Sequence, residues 1–477
     1  MNEQAALSLT RRALLRGAGS GLGAMAMAAM LAEDRARAAG SSVIHDPTIA
    51  RKPHHEPKAK AVIFLFMEGA PSHIDLFDPK PKLAELHGQP MPASFGKVIT
   101  AMGTANNTLM ASPRKWTRHG QGGTWVSELY PHIARHADKF AVLRSCQSDG
   151  LNHAGGVSQM NTGDILSGRP SLGAWVNYGL GSGNRNLPTF VSMIDEREPF
   201  GNAKNWGSGF LPAVYQGTLF RQGSNPILNT TLREGHTDER QRARLAFLEA
   251  QNREYGIGRE DDSNLEARIR SFELAYALQK SGPEVVDLSQ ETEATKSMYG
   301  LDKPETAVFG RNCLLGRRLI ERGVRFVELY CGSGSGWDAH TNLEGNHKKW
   351  CMASDQPVAA LLEDLHRRGM LDETLVIWGG EFGRTPFNEK GNGRDHNPWG
   401  FSMFFAGGGV RGGQTIGSTD EIGLRAVERP THVHDIHASI LWLLGLDHLK
   451  LTYQHNGRAE RPTMVAGEHM VKELWQG

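Results

Sequence analysis

Four cysteines in 477 residues are too few for a disulfide framework, and a chain of this length buries enough apolar surface to fold without one. Cys146, Cys313, Cys331 and Cys351 either pair outside the cytoplasm or stay buried as small apolar residues. An excess of one charge is also missing. Lys plus Arg number 53 and Asp plus Glu 52, with no dense basic run carrying interleaved aromatics, which argues against nucleic acid as a partner. No apolar run reaches the roughly 20 residues of a spanning helix, so no stable membrane span is expected. The chain contains neither a His-Glu-x-x-His run nor a Gly-x-Ser-x-Gly elbow, which sets aside those two hydrolase types.

The chain does have histidine, 20 in all, and the informative ones stand beside Asp, Glu, Asn and Gly in predicted loops. That company suggests metal ligation. At the N-terminus, Thr10-Arg11-Arg12-Ala13-Leu14-Leu15-Arg16 resembles a twin-arginine export signal, followed by a Gly/Ala/Met-rich stretch from Gly17 to Ala32. Residues 1–39 are expected to be removed near Ala38 or Ala39, with the twin-arginine translocase as a partner and the periplasm or exterior as destination. Residues 40–58, with Pro47, Pro53 and Pro57, read as a tether, and order is expected to begin near Lys60.

Short apolar runs at Ala61 to Met67, Phe140 to Leu143, Val324 to Tyr330, Thr374 to Trp378 and Phe401 to Ala406 read as buried parallel strands. Amphipathic segments such as Asn312 to Arg322 and Pro357 to Arg368 lie between them. The alternation predicts an α/β fold with a doubly wound, mostly parallel sheet. Residues 237–280 are charged and helical in period, with Leu245, Phe247 and Leu248, then Leu265, Ile269, Phe272 and Tyr276, on either side of a Gly256-Ile257-Gly258 break. They predict an inserted helical hairpin.

Four clusters follow predicted strands, where open α/β sheets bind ligands: Glu68 to Asp75, Gly336 to His340, Gly380 to Pro386 and Gly393 to Pro398. Mixed carboxylate and imidazole suit zinc, manganese or iron better than calcium or magnesium. Asp338, His340, Glu381 and His396 are the candidate ligands, with Glu68, His73 or Asp75 completing a site. Asp395 is either a ligand or an acceptor that orients a ligand histidine. Arg384 and Arg394 either clamp an anionic substrate or close loop salt bridges.

The run Gly69 to Lys80, Trp-Asp-Ala-His, Gly-Glu-Phe-Gly-Arg-Thr-Pro, Gly-Arg-Asp-His and the closing His434-Asp435-Ile436-His437 together resemble the domain-of-unknown-function family 1501 over nearly the whole mature chain. That family is distantly similar to the alkaline phosphatase and sulfatase superfamily, which implies the corresponding fold, one or two metal ions, zinc foremost, and attack on phosphate or sulfate esters. The resemblance places superfamily metal ligands on Asp338, His340, Glu381 and His396, and the opening-strand ligand on Glu68. A C-terminal helix, Asp435 to Leu444, resembles the superfamily's helix below the site, and His434 and His437 then read as structural. At the superfamily's nucleophile position, which opens a helix ending in Thr162-Gly163, stands His153; the Ser, Thr or convertible Cys is missing. His153 is then a covalent nucleophile, a metal ligand or a general base, or a metal-activated water attacks, with Ser145, Ser148 and Ser158 as fallback nucleophiles. Two functions follow: an exported metal-dependent hydrolase acting on an anionic small-molecule or glycan ester, or a non-catalytic metal-containing protein that binds a glycan or anion.

Overall fold

The computed structural model describes residues 49–476 except 185, 196, 224, 225, 228–236 and 257–262. The export signal and the first part of the tether lie outside the described residues. The sheet has nine strands: β1 Ala61–Met67, β2 Phe140–Gln147, β3 Phe190–Met193, β4 Thr218–Phe220, β5 Phe326–Cys331, β6 Thr374–Gly379, β7 Phe401–Ala406, β8 Gln414–Ile416 and β9 Thr431–His432. Its order is β8-β2-β7-β6-β1-β5-β3-β4, with β9 also paired to β2.

β1 sits centrally and every one of its residues is buried, because both faces are covered. Its alternating side chains divide between two cores. Ile63, Leu65 and Met67 join Phe309, Leu314, Val358 and Leu361 on one face, while Val62, Phe64 and Phe66 join Val157, Trp175, Ile436 and Ile440 on the other. The continuous apolar run of a doubly covered strand is the sequence mark of this arrangement.

Five helices supply those partners: α1 His153–Thr162, α2 Leu172–Leu180, α5 Pro304–Glu321, α6 Leu343–Arg367 and α7 Val433–Leu443. The inserted helices are α3 Asp238–Gly256 and α4 Ser263–Val286. The Tyr276 hydroxyl ties these two, donating to Asp238 at 2.9 Å and accepting from Arg242 Nε at 3.0 Å. Phe247 is exposed, so it does not share an apolar face with Leu245. The side chains of Leu265, Ile269 and Phe272 lie outside the described residues.

Three expectations need correction. β7 is antiparallel to both β2 and β6, not parallel. Residues 380–400 contain no helix to carry the chain back across the sheet, so β7 starts from the same edge at which β6 ended. α6 begins at Leu343 and passes through Pro357 instead of starting there. Order also begins before Lys60: Arg51 N–H donates to the Leu180 carbonyl, Lys58 N–H to that of Leu443, and the His55 ring packs 3.9 Å from Trp442.

Candidate metal centre

The loops after β1, β2, β5 and β6 and the segment before β7 emerge on one edge of the sheet, which gathers residues far apart in the chain. Asp338, His340 and His396 meet there, and His153 joins them: one ligand atom from each of these four lies within 4.8 Å of the others.

Local structure aims each group. His153 opens α1, whose Asn152 cap accepts from Gly155 N–H. His396 pairs with Arg384 in a short antiparallel ladder, Gly383–Arg384 against His396–Asn397, which sets both side chains beside Asp338. Gly69 lets the loops approach: its φ is +104°, and a Cβ would fall 2.6 Å from the backbone nitrogens of Trp337 and Asp338.

In all three imidazoles Nδ1 is already engaged. His153 Nδ1 lies 2.7 Å from Glu381 Oε1, His340 Nδ1 lies 2.6 Å from Glu389 Oε2, and His396 Nδ1 lies 3.0 Å from the Leu151 carbonyl. The tautomer this assigns puts the proton on Nδ1 and the lone pair on Nε2. The Nε2 atoms then converge on one carboxylate: 3.3 Å from Asp338 Oδ2 for His153, and 3.2 and 3.6 Å from Oδ1 for His340 and His396. His153 Nε2 and His396 Nε2 are buried yet have no partner in hydrogen-bonding geometry. Orphaned donor atoms facing one point fit a cation.

Burial works against the Asp338 carboxylate, but His153, His396 and Arg384 outweigh it and hold its pKa far below the usual range. Burial lowers His396, with Arg384 adding to the effect, whereas for His153 the contacts to Asp338 and Glu381 overcome burial and raise it.

The remaining candidates stand around the cluster. Glu381 is fully buried, accepts from Gly69 N–H at 3.0 Å and orients His153. Glu68 is buried and accepts from Phe200 N–H and Gly334 N–H, each at 2.7 Å; burial and the neighbouring Glu381 push its pKa up to about 8. The structure therefore brings neither Glu381 nor Glu68 into the group of converging atoms. Asp395 accepts from the backbone N–H of His396 and from Thr104 Oγ1, and with His340 and Glu389 it forms a second close group.

Both arginines are fully buried and directed at protein acceptors. Arg384 Nη2 lies 2.7 Å from Asp338 Oδ1, while its other donors reach the carbonyls of Gly69, Ala70 and Arg394. Arg394 Nε pairs with Asp75 at 2.9 Å. Of the two sequence readings, the geometry matches the salt bridge. His73 bonds the Gly423 carbonyl and is not brought to the cluster. Ser145, Ser148 and Ser158 donate to Arg429 O, Gln159 Oε1 and Asp164 O. His434 and His437 bond the carbonyls of Gly163 and Met160 at the end of α1, a structural use. Sequence reasoning missed Glu389 and the Leu151 carbonyl, for which no local motif gives a signal. The four cysteines are buried and unpaired.

A buried α/β sheet carrying a candidate divalent-metal cluster at one edge defines the class. The chain belongs to the family described as "Protein of unknown function (DUF1501)", whose model matches residues 59–475. No curated protein sequence matches it. Among solved structures it is similar to the PsFucS1 sulfatase from Pseudoalteromonas sp. (11% identity, 83% of this chain and 68% of that one, TM-score 0.35). It is also similar to alkaline phosphatase from the Antarctic bacterium TAB5 (10%, 81% and 98%, TM-score 0.34). A third is the lipoteichoic acid synthase LtaP from Listeria monocytogenes (9%, 84% and 77%, TM-score 0.33). No described helix is long and apolar enough to cross a membrane.

Proposed function

We propose that this DUF1501 protein is a metal-dependent hydrolase of phosphate or sulfate esters, glycan esters included, acting outside the cytoplasm after twin-arginine export. The observation that carries the reading is the set of three imidazoles, each with Nδ1 engaged and Nε2 turned to one carboxylate. Three nitrogens and a carboxylate oxygen suit a divalent transition metal, zinc first, with manganese or iron as alternatives. His153, His340, His396 and Asp338 would hold it, and it would supply Lewis acidity toward an ester oxygen and lower the pKa of water.

The chain's own residues prepare that site. Glu381 and Glu389 keep the protons of His153 and His340 on Nδ1, which strengthens the opposite nitrogens as donors. Arg384 keeps Asp338 ionised. Phe382 packs 4.8 Å from the His396 ring and 5.2 Å from that of His153, excluding water from that side.

The test is elemental analysis of protein purified without chelator, followed by a panel of phosphate monoesters, phosphate diesters and sulfate esters. About one or two equivalents of transition metal, with turnover abolished by chelation and restored by zinc, is the expected result. Metal without turnover of any ester selects the non-catalytic binding protein, a reading favoured by the absence of a free hydroxyl at the cluster among the named serines. Failure to take up metal after refolding in zinc overturns both.

A further inference from the structure

The loop that follows β3 places one large apolar side chain in solvent beside the cluster. Phe200 is 44% exposed, and its ring stacks on His153 with centroids 5.9 Å apart and planes 16° from parallel. Leaving a phenyl ring half in water forgoes part of the stabilisation that full burial gives.

Its backbone, in contrast, is held from both sides. The N–H donates to Glu68 Oε1 at 2.7 Å, and the carbonyl accepts from Asn205 Nδ2 at 2.7 Å. Glu68 uses its other oxygen on Gly334 N–H, in the loop that leads into Asp338. A single buried carboxylate at the end of β1 thus ties the Phe200 loop to the Asp338 loop. An aromatic face pinned next to a cation site is suited to a ring, which stacks on it through its own apolar face.

We infer that Phe200 forms an aromatic subsite beside the metal cluster, with Glu68 as the positioning residue, and that it takes the ring of an ester whose leaving group is a sugar or an aryl ring. This rests on the ester-hydrolase reading above. The ring lies over Phe200 while the anionic head reaches the cluster; Glu68 acts through the loop and touches neither.

The test is calorimetric titration of zinc-loaded protein with three non-hydrolysable probes: methylphosphonate, phenylphosphonate and the phosphonomethyl analogue of glucose 6-phosphate. In the parent, at least one ring-bearing probe should bind about two- to tenfold tighter than methylphosphonate, the range of one aromatic stack. Preference for the phenyl probe identifies aryl esters, and preference for the sugar probe identifies glycan esters. Phe200→Ala should abolish the preference with metal content unchanged, and Phe200→Tyr should restore it. Glu68→Gln, which keeps one acceptor, should weaken the preference and retain the metal. Equal ring preference in Phe200→Ala and parent overturns the subsite while leaving the ester reading intact. Loss of metal in Glu68→Gln overturns the positioning role. If methylphosphonate and both ring probes all fail to bind the zinc-loaded parent, the ester reading fails and the subsite with it.

Discussion

His153, His340 and His396 each use one ring nitrogen on the protein and leave the other toward Asp338, so removing any member should be felt by the ion more than by the fold. Asp338→Ala and His396→Ala should each strip bound metal with the far-UV circular dichroism unchanged, because both residues lie outside the central sheet. Metal retained in both variants would remove the assignment. His153→Ala should cost at least roughly 10² in turnover, the low end for a positioned acid, base or ligand group. Glu389→Ala should weaken metal affinity by about 10- to 100-fold, the usual cost of losing the partner behind a ligating histidine. Chelator competition would measure it, and parental affinity would mean that His340 needs no orienting partner.

At the scale of elements, α1 is the part whose placement matters most, since its first residue is His153 and its packing rests on a glycine. A Cβ on Gly156 would stand 2.8 Å from the Phe382 ring and 3.2 Å from Glu381 Cβ. Gly156→Ala should therefore push the helix from Glu381, lengthen the His153–Glu381 contact and lower metal affinity, although alanine is the better helix former. Affinity equal to the parent would show that α1 can shift without disturbing the cluster. Under the site, Arg394 and Asp75 form a fully buried pair. Burial opposes the charged carboxylate, but Arg394 and Ser72 overcome it and lower Asp75 to about 2. Asp75→Asn would leave a buried guanidinium unpaired and should destabilise the fold by about 3–5 kcal/mol in denaturant unfolding. A loss below about 1 kcal/mol, the level of an exposed pair, would contradict that account.

For the whole molecule, pH is the condition that should separate folded from unfolded chains. Burial first, and nearby cations in addition, lower His73 to about 4 and His347 to about 3 from an ordinary 6.5. These two histidines therefore bind more protons in the unfolded chain than in the native one as pH falls below 6.5. Their contribution to stability is complete above that value and declines below it, by about 1.4 kcal/mol per pH unit for each histidine, until the folded pKa is passed. Asp75, also lowered, adds its loss between 3.8 and about 2. Urea midpoints should drop between roughly pH 7.5 and 5, and His347→Gln should reduce the slope by one histidine's share. An unchanged slope would contradict a neutral His347. Export is a separate prediction: changing Arg11 and Arg12 together to Lys should hold uncleaved precursor in the cytoplasm, and normal maturation would point to another route.

Sequence alone was sufficient for whatever depends on short-range pattern. Continuous apolar runs marked the β1, β5, β6 and β7 strands because a strand covered on both faces has no polar side to show. Asp338, His340 and His396 stood out because carboxylate and imidazole sat together in loops after strands. Tertiary structure alone decided what depends on two distant segments meeting. It brought His153 to Asp338, His340 and His396, brought Glu389 behind His340, and set Glu381 and Glu68 as supports beside the converging atoms. It also turned β7 antiparallel and buried both arginines against carboxylates. Ligation and pairing depend on distances of about 3 Å between groups tens to hundreds of residues apart, and only the packed sheet brings such groups together.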